Sequence, residues 1–355
     1  MLPIPFYDPE KSYEENYKNG PYGAFANNKK FKQKEPPKHD FFGNKVFLPF
    51  GIPAGPLLNG KFVKAALDKG FDICIYKTVR SRNYPCHNWP NILSLNISSN
   101  ISEDVANNGI VGHHDYKNPH SITNSFGVPS KDPDIWQKDL SDCVNYAKEG
   151  QIVVGSFQGT TSPEHDSKKY LNDYVLTARL VKETGVKAME VNLSCPNEGH
   201  SNFLCYDILK SQKLVERIKN EIGNVPLVLK ISYFHDDKRL EEFAEKVGSI
   251  ADGISSINTF PAKIIDENGR QALPGEGRIV SGVCGRSIKW AGISMIKRLN
   301  KIRKKKGYKF KLEGVGGVTT PEDYFEYIKA GADSVMSATG AMWNPNLAKE
   351  IKDKI

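Results

Sequence analysis

The chain has 355 residues, of which 39% are hydrophobic and 25% are charged, a composition typical of globular proteins with a large core. Its 49 Lys and Arg against 41 Asp and Glu give a net charge of +8, but the basic run from Lys301 to Lys306 has no interleaved aromatic residues, which disfavours nucleic acid as a partner. Six cysteines without C-x-x-C spacing argue against a disulfide scaffold, an iron–sulfur cluster or a structural metal site.

The first 45 residues are polar and rich in aromatic side chains, among them Tyr7, Tyr13, Tyr17 and Phe25. Because disordered tails usually lack aromatic residues, residues 1–45 are predicted to form an ordered arm packed on the body of the protein. This N-terminus lacks the layout of a signal peptide, and no apolar run approaches 18 residues. We therefore expect a soluble cytoplasmic protein with no membrane segment.

From residue 46 to residue 355, short apolar runs alternate with longer amphipathic ones. Eight runs are predicted to be strands: 46–52, 73–76, 152–157, 188–191, 227–231, 253–257, 310–312 and 334–336. Helical patterns occupy most of the intervals: 133–149, 173–184, 211–222, 239–247, 287–302 and 321–330. This alternation predicts an α/β protein with a (β/α)8 TIM barrel, and a doubly wound open sheet is the alternative.

Two connections between predicted strands are unusually long. About 70 residues separate the second strand from the third, with an insertion at about 83–121, and a Gly-rich segment, 260–285, follows the sixth. In a (β/α)8 barrel both insertions leave from the C-terminal face, where active sites lie. We expect them to cover a ligand there.

The stretch Val191–Asn197 reads Val-Asn-Leu-Ser-Cys-Pro-Asn and follows a predicted buried strand. Pro196 rigidifies the turn that presents the thiol of Cys195. The flanking Asn192 and Asn197 carry amides that match the N–H and C=O edge of a heterocycle. A buried structural thiol between two turn-forming asparagines is the other interpretation.

Further polar residues end other predicted strands or lie in the long connections. Lys77 and Lys230 end the second and fifth strands, and Asn124 and Asn258 provide two more amides. A lysine that ends an apolar strand is costly to bury unless an anion or a polar ligand meets it. Such lysines act as Schiff-base nucleophiles or as cationic partners of flavins, phosphates and carboxylates, although a structural lysine with an exposed ammonium is also possible.

Glycine-rich turns follow the last two predicted strands. Gly316-Gly317 precedes a helix that starts at Pro321, and Ala338-Thr339 follows the eighth strand. Glycines let backbone N–H groups approach a phosphate closely, and this position recurs as a phosphate site in TIM barrels. Two ordinary glycine turns are the alternative.

Together these residues resemble the dihydroorotate dehydrogenases, flavin-dependent enzymes of pyrimidine biosynthesis. The segments that carry the resemblance span about residues 46 to 345: Ala54-Gly55, Lys77-Thr78, 124–129, 192–197, Lys230, Asn258-Thr259, 281–285, Gly316-Gly317 and Ala338-Thr339. The Asn-Leu-Ser-Cys-Pro-Asn string is the most specific of them. It is shared with dihydropyrimidine dehydrogenases, so it indicates the superfamily better than the substrate.

The resemblance implies that residues 46–355 form an FMN-binding barrel. Its cofactor-binding residues would be Ala54, Gly55, Lys77, Thr78, Ser156, Asn192, Lys230, Gly282, Gly285, Gly316, Gly317, Ala338 and Thr339. Its substrate-binding residues would be Lys77, Asn124, Phe126, Gly127, Val128, Asn192, Asn197, Asn258 and Thr259. Cys195 would be the base that takes the C5 proton of (S)-dihydroorotate while hydride leaves C6 for flavin N5, forming orotate on the route to UMP.

The resemblance also limits the partners. Membrane-bound members of the family have serine as the base, so Cys195 and the polar arm match the soluble branch, in which homodimers are usual and fumarate is a plausible electron acceptor. The alternative is an NAD-linked partner subunit that carries FAD and an iron–sulfur cluster. The alternative functions are a flavin enzyme of another dihydropyrimidine, a Schiff-base aldolase and a non-catalytic scaffold.

Overall fold

The computed structural model describes residues 3–33, 35–97, 99–117, 119–161, 166–194 and 203–355. The strands are β1 (His39–Phe41), β2 (Asn44–Val46), β3 (Phe50–Ile52), β4 (Ile73–Val79), β5 (Ser94–Leu95), β6 (Ile110–His113), β7 (Ser121–Asn124), β8 (Ile152–Phe157), β9 (Met189–Asn192), β10 (Leu227–Ile231), β11 (Gly253–Ser256), β12 (Phe260–Ile265), β13 (Val280–Gly285), β14 (Lys311–Val315) and β15 (Ser334–Met336). The α-helices are α1 (Tyr13–Asn19), α2 (Gly60–Asp68), α3 (Glu103–Asn108), α4 (Pro133–Tyr146), α5 (Ser167–Lys182), α6 (Ile208–Ile222), α7 (Asp237–Lys246), α8 (Lys289–Lys306), α9 (Pro321–Ala330), α10 (Thr339–Trp343) and α11 (Leu347–Lys352).

Eight parallel strands close into a barrel in chain order: β3, β4, β8, β9, β10, β11, β14 and β15. The pairing of β15 with β3 completes the ring and confirms the (β/α)8 barrel over an open sheet. The first predicted strand, 46–52, is wrong in its bounds, since Val46 ends β2 and only Phe50–Ile52 enters the barrel. Pro49 lies between them and has no N–H to donate to a strand ladder.

Helices cover the outside of the barrel, and all six predicted helices are present. In α6 the buried Leu214, Ile218 and Ile222 recur every four residues, so they form one face against the strands. The Asp207 side chain caps its first turn by accepting from Lys210 N, and Gly223 ends it at a φ of 65°. Within the described ranges, no helix is long and apolar enough to cross a bilayer.

The N-terminal end of the barrel is closed by a hairpin. Strands β1 and β2 pair antiparallel and cross the arm boundary predicted at residue 45. Phe41 of this hairpin is 2% exposed and belongs to a cluster with Ile73, Ile152 and Ala188 in the lower half of the barrel. Apolar packing therefore fills that half of the barrel.

The two long connections fold together above the C-terminal face. Strands β5, β6 and β7 follow β4, strands β12 and β13 follow β11, and the five close into a small second barrel. Strand β13 pairs with β7 so that Gly282 lies opposite Asn124. Residues 83–121 are thus one part of a structure that also contains the later connection, and its pairing brings two predicted site segments together.

The N-terminal arm packs against α2 and α10. The ring of Phe6 is fully buried and lies 4.5 Å from that of Phe25 and 6.1 Å from that of Phe62 of α2. The Phe6 N–H donates to the Met342 carbonyl of α10 at 3.0 Å. The arm is thereby joined to the core close to the predicted phosphate turn at Ala338-Thr339.

Replacement of Phe6 by alanine tests this attachment. We expect Phe6→Ala to lower the free energy of unfolding by about 3–5 kcal/mol, because it removes a fully buried ring. Ile4→Ala is the matched control, since Ile4 is 70% exposed and its loss should change stability by less than about 0.5 kcal/mol. Urea unfolding of both variants measures the difference, and equal midpoints would contradict a packed arm.

Candidate active site

A cavity of about 370 Å³ lies between the C-terminal ends of the barrel strands, the small barrel and the arm. This volume is in the range of small-molecule and cofactor sites. Fourteen of the predicted site residues line it: Ala54, Gly55, Lys77, Thr78, Asn124, Phe126, Gly127, Val128, Asn192, Asn258, Thr259, Gly282, Ala338 and Thr339. Predicted site residues that are far apart in the sequence, from Ala54 to Thr339, therefore line the same cavity.

Other predicted site residues lie beside the cavity or outside the described ranges. Gly285 has a φ of 97°, and a Cβ there would lie 2.5 Å from the His120 carbonyl, so close packing on β7 requires glycine. The side chains of Ser156 and Lys230 are buried in the barrel wall. Cys195 and Asn197 fall in 195–202, outside the described residues.

The two predicted phosphate turns lie side by side. Gly316 and Gly317 have φ angles of 120° and 69°, which strongly favour glycine. The Ser337 Oγ donates to the Val318 carbonyl at 2.6 Å, which ties the turn after β14 to the segment that contains Thr339. A Cβ on Gly317 would lie 2.6 Å from Lys289 Cβ, so this turn also packs tightly on the start of α8.

The amides of Asn192 and Asn258 both contact Ser194, the residue before Cys195. Asn192 Oδ1 accepts from the Ser194 N–H and from its Oγ, each at 3.2 Å. Asn258 Nδ2 donates to the Ser194 carbonyl at 3.2 Å. Since Asn192 ends β9 and Asn258 follows β11, two ends of the rigid barrel fix the point at which the cysteine segment begins.

Arg80 supports the loop that contains Phe126, Gly127 and Val128. Its guanidinium is buried and donates to the carbonyls of Val128 at 2.9 Å, Gly127 at 3.3 Å and Gly159 at 2.8 Å. Gly127 and Val128 both have positive φ, at 77° and 53°, a strained conformation for valine that these bonds help to hold. Sequence reasoning missed Arg80, which adjoins the Lys77-Thr78 motif.

Arg278, which lines the cavity, supports Ser125 at the start of the same loop. It donates to Ser125 Oγ at 3.1 Å, to the Ser125 carbonyl at 2.9 Å and to the carbonyls of Asn88 at 2.8 Å and Pro90 at 3.1 Å. Burial lowers the pKa of Arg278, but a guanidinium keeps its charge at neutral pH. All of these acceptors are neutral, so they do not cancel the charge of Arg278, although Glu276 also lines this part of the cavity.

Lys230 and its neighbours form a buried charged group below the cavity. Lys230 is 3% exposed, and its Nζ lies 3.7 Å from Glu190 Oε2. Glu190 and a second buried carboxyl, Glu313, were both missed by sequence reasoning, although each is a lone acidic residue in a buried barrel strand. An ammonium paired with a carboxylate is a poor Schiff-base nucleophile, which disfavours Lys230 as an aldolase residue.

The thiol of Cys284 also lines the cavity. Burial raises the pKa of this thiol to about 12, against smaller lowering effects from Asn124 and Lys230. A thiol of that pKa stays protonated at neutral pH and is a poor base. Cys284 therefore does not replace Cys195 as the candidate base.

Comparison with known proteins identifies the family. A family model described as dihydroorotate dehydrogenase matches residues 38–355, about nine-tenths of the chain. The chain belongs to the dihydroorotate dehydrogenase family. It is 37% identical to a dihydroorotate dehydrogenase of Dictyostelium discoideum over 97% of this chain and 95% of that protein. It is 28% identical to the catalytic subunit of a dihydroorotate dehydrogenase B (NAD(+)) of Petrotoga mobilis, over 66% of this chain and 72% of that protein.

The two comparisons differ in how much of the N-terminal arm they cover. The dihydroorotate dehydrogenase family model begins at residue 38, after most of the arm. The match to the Dictyostelium protein covers 97% of the chain, so it includes part of the arm. Tyr7 of this arm lines the cavity, and its ring lies 5.7 Å from that of Phe126. In this family member the arm thus reaches the site that the family motifs surround.

Proposed function

We propose that this protein oxidises (S)-dihydroorotate to orotate in de novo pyrimidine biosynthesis, with FMN as the cofactor and Cys195 as the base. The observation that carries the proposal is the convergence of fourteen family-motif residues on one cavity in a member of this family. Three contacts support it: Asn192 holds Ser194, Arg80 holds the loop at Val128, and Glu190 pairs with Lys230.

The residues around the cavity fit FMN. Gly55 has a φ of 132°, and a Cβ there would meet nothing within 4 Å, so a ring system could approach its backbone. Gly316-Gly317 and Ala338-Thr339 would hold the phosphate, Lys230 and Thr78 would lie near the ring, and Ser156 would support them from the barrel wall. When bound, FMN would supply the acceptor for the hydride that leaves C6 of dihydroorotate.

The substrate would lie between the amides and the wall that contains Arg278. Asn124, Asn192, Asn197 and Asn258 with Thr259 would pair with the N–H and C=O groups of the pyrimidine ring. Lys77 and the backbone of Phe126, Gly127 and Val128 would meet its carboxylate. Arg80 and Arg278 favour this placement, because each adds a buried positive charge whose acceptors named above are neutral.

Cys195 would remove the C5 proton. A thiolate has the basicity for this step near neutral pH, and Cys195 begins the segment 195–202. Asn192 and Asn258 would set the start of that segment through Ser194. These amides would serve both the substrate and the position of the base.

The absorbance spectrum of the purified protein, followed by anaerobic titration with dihydroorotate, tests the function. We expect a flavin spectrum that bleaches on addition of dihydroorotate, whereas dihydrouracil and dihydrothymine should leave it unchanged. They lack the carboxylate that Lys77 and the arginines would attract. Bleaching by a different dihydropyrimidine would support the alternative substrate class, and a colourless protein trapped by borohydride on lysine would support an aldolase.

For the electron acceptor we propose fumarate, and for the assembly a homodimer in the cytoplasm. The support is the family resemblance of the cysteine-containing branch. The Petrotoga relative is an NAD(+)-type catalytic subunit, so NAD-linked turnover with a partner subunit is the competing outcome. Turnover of the isolated protein with fumarate and with NAD separates the two, and sedimentation gives the oligomeric state.

The phosphate assignment predicts the effect of a methyl group at Gly317. We expect Gly317→Ala to reduce FMN content, because its Cβ would lie 2.6 Å from Lys289 Cβ and would displace the turn. Gly307→Ala is the matched control, since its φ of 71° imposes a similar backbone strain but a Cβ there meets nothing within 4 Å. FMN released by heat is measured by fluorescence, and equal content in both variants would contradict the assignment.

A further inference from the structure

The upper half of the barrel contains two carboxyl groups and one ammonium group in a buried cluster. Glu190, Lys230 and Glu313 are 1%, 3% and 2% exposed. They come from β9, β10 and β14 of the barrel. The reaction proposed above uses Lys230 but gives neither carboxyl group a role.

Hydrogen bonds stabilise only some of the carboxylate oxygens in this cluster. Glu190 Oε1 accepts from Ser156 Oγ at 3.0 Å, and Glu190 Oε2 accepts no hydrogen bond from any described residue. Glu313 Oε1 accepts from Ser255 Oγ at 2.7 Å, and its Oε2 lies 3.5 Å from Ser334 Oγ. The serines are neutral, and among the described residues Lys230 is the cation that acts on both carboxyl groups.

Two buried carboxylates beside one ammonium would leave an uncompensated negative charge. Such a charge in a desolvated interior is costly, and a proton that binds either carboxyl group removes it. In agreement, burial and then the charge of Glu190 raise the pKa of Glu313, and Lys230 opposes them. A proton on Glu313 would therefore make the cluster neutral, and Glu190 would be the carboxyl group left to accept a further one.

Hydroxyl groups connect this cluster to the cavity. Thr78 lines the cavity, and its Oγ1 lies 3.0 Å from Ser156 Oγ, which donates to Glu190. A chain of hydroxyl groups of this kind can pass a proton by rearranging its hydrogen bonds. The carboxyl pair is thus buried but not isolated from the site.

We propose that Glu190 and Glu313 form a proton-loading pair, which takes up one proton when a hydride arrives in the cavity above Lys230. The proposal rests on the proposed function. Dihydroorotate would lose one hydride and one proton. Bound FMN would supply the acceptor for the hydride, which would bring one negative charge, and Cys195 would release the C5 proton to water. The pair would then take one proton from water through the hydroxyl groups of Thr78 and Ser156, which would balance the charge next to Lys230. Both glutamates are positioning residues that act through Lys230.

The number of protons taken up per two electrons tests the pair in the holoenzyme. It is obtained from the pH dependence of the cofactor midpoint potential between about pH 6 and pH 9. We expect the wild type to take up about one proton more than the double variant Glu190→Gln, Glu313→Gln. The matched control is Glu241→Gln, Glu245→Gln, because Glu241 is partly exposed, Glu245 is exposed, and both pair with Lys306 at the surface. Equal proton numbers in the wild type and the buried double variant would overturn the proposal.

Infrared spectroscopy of the wild type tests the pair without any substitution. Reduction should produce a carboxylic C=O band, sensitive to deuterium exchange, in the reduced-minus-oxidised difference spectrum. Glu313→Gln should alter this band, because one carboxyl group then remains. Absence of the band in the wild type would overturn the pair, whereas a protein without flavin, or one not reduced by dihydroorotate, would instead contradict the proposed function.

Discussion

Cys195→Ala is expected to slow reduction of the bound flavin by dihydroorotate by about 10²- to 10⁴-fold, the range over which a positioned base contributes. The substitution removes the thiolate that would take the C5 proton. Orotate should still bind, because the amides of Asn192 and Asn258 and the wall near Arg278 do not depend on the thiol. Anaerobic stopped-flow absorbance measures the rate, and orotate titration of the flavin spectrum measures binding.

The pH dependence identifies the thiol as the base. In the wild type the rate should increase with pH as the thiol of Cys195 ionises, because only the thiolate accepts the proton. Cys195→Ser should retain part of the activity and require higher pH, since a hydroxyl group is a weaker acid than a thiol. A wild-type rate in Cys195→Ala across the pH range would make the thiol structural.

Cys86→Ala is the matched control for this experiment. Cys86 is partly exposed, and burial raises the pKa of its thiol to about 12, so it is protonated at neutral pH. We expect this variant to reduce its flavin at close to the wild-type rate. A comparable loss in both variants would point to a general effect of removing a thiol near the site rather than to base catalysis.

The barrel could be predicted from the sequence because buried parallel strands are nearly continuous apolar runs. The runs at 152–157 and 227–231 match β8 and β10 to the residue. The small barrel could not be predicted in this way, since β5 has two residues and β7 four, too few to show a period. Its pairing of Asn124 with Gly282 joins residues 158 positions apart in the chain.

The motif residues around the cavity could be predicted from the sequence, because the family resemblance gives their positions. The side chains that hold these motif residues in place could not be predicted in this way. Arg80 contacts Val128 across 48 residues and Arg278 contacts Ser125 across 153, and nothing local distinguishes either arginine from a surface residue. Glu190 and Glu313 did give a signal, because each is the one acidic residue of a buried barrel strand. The roles of all these residues stay predictions.

Lys230→Ala is expected to slow flavin reduction by about 10²-fold, as for the loss of one preorganised electrostatic group. Lys230 is buried beside the cavity, so its charge would act on the cofactor with little screening by water. The substitution also leaves Glu190 and Glu313 without their cation. Breaking a buried ion pair by removing one partner typically costs about 3–5 kcal/mol, so this variant should also be less stable.

The double variant Lys230→Ala, Glu190→Gln separates the two effects. It removes the cation and one of the acids, so one carboxyl group, Glu313, remains in the cluster and can stay protonated. We expect it to be more stable than Lys230→Ala in urea unfolding but to reduce its flavin equally slowly. Recovery of the wild-type rate in the double variant would show that the unpaired carboxylate, rather than the missing ammonium, slows the reaction. A wild-type rate in Lys230→Ala itself would place the lysine outside the catalytic machinery.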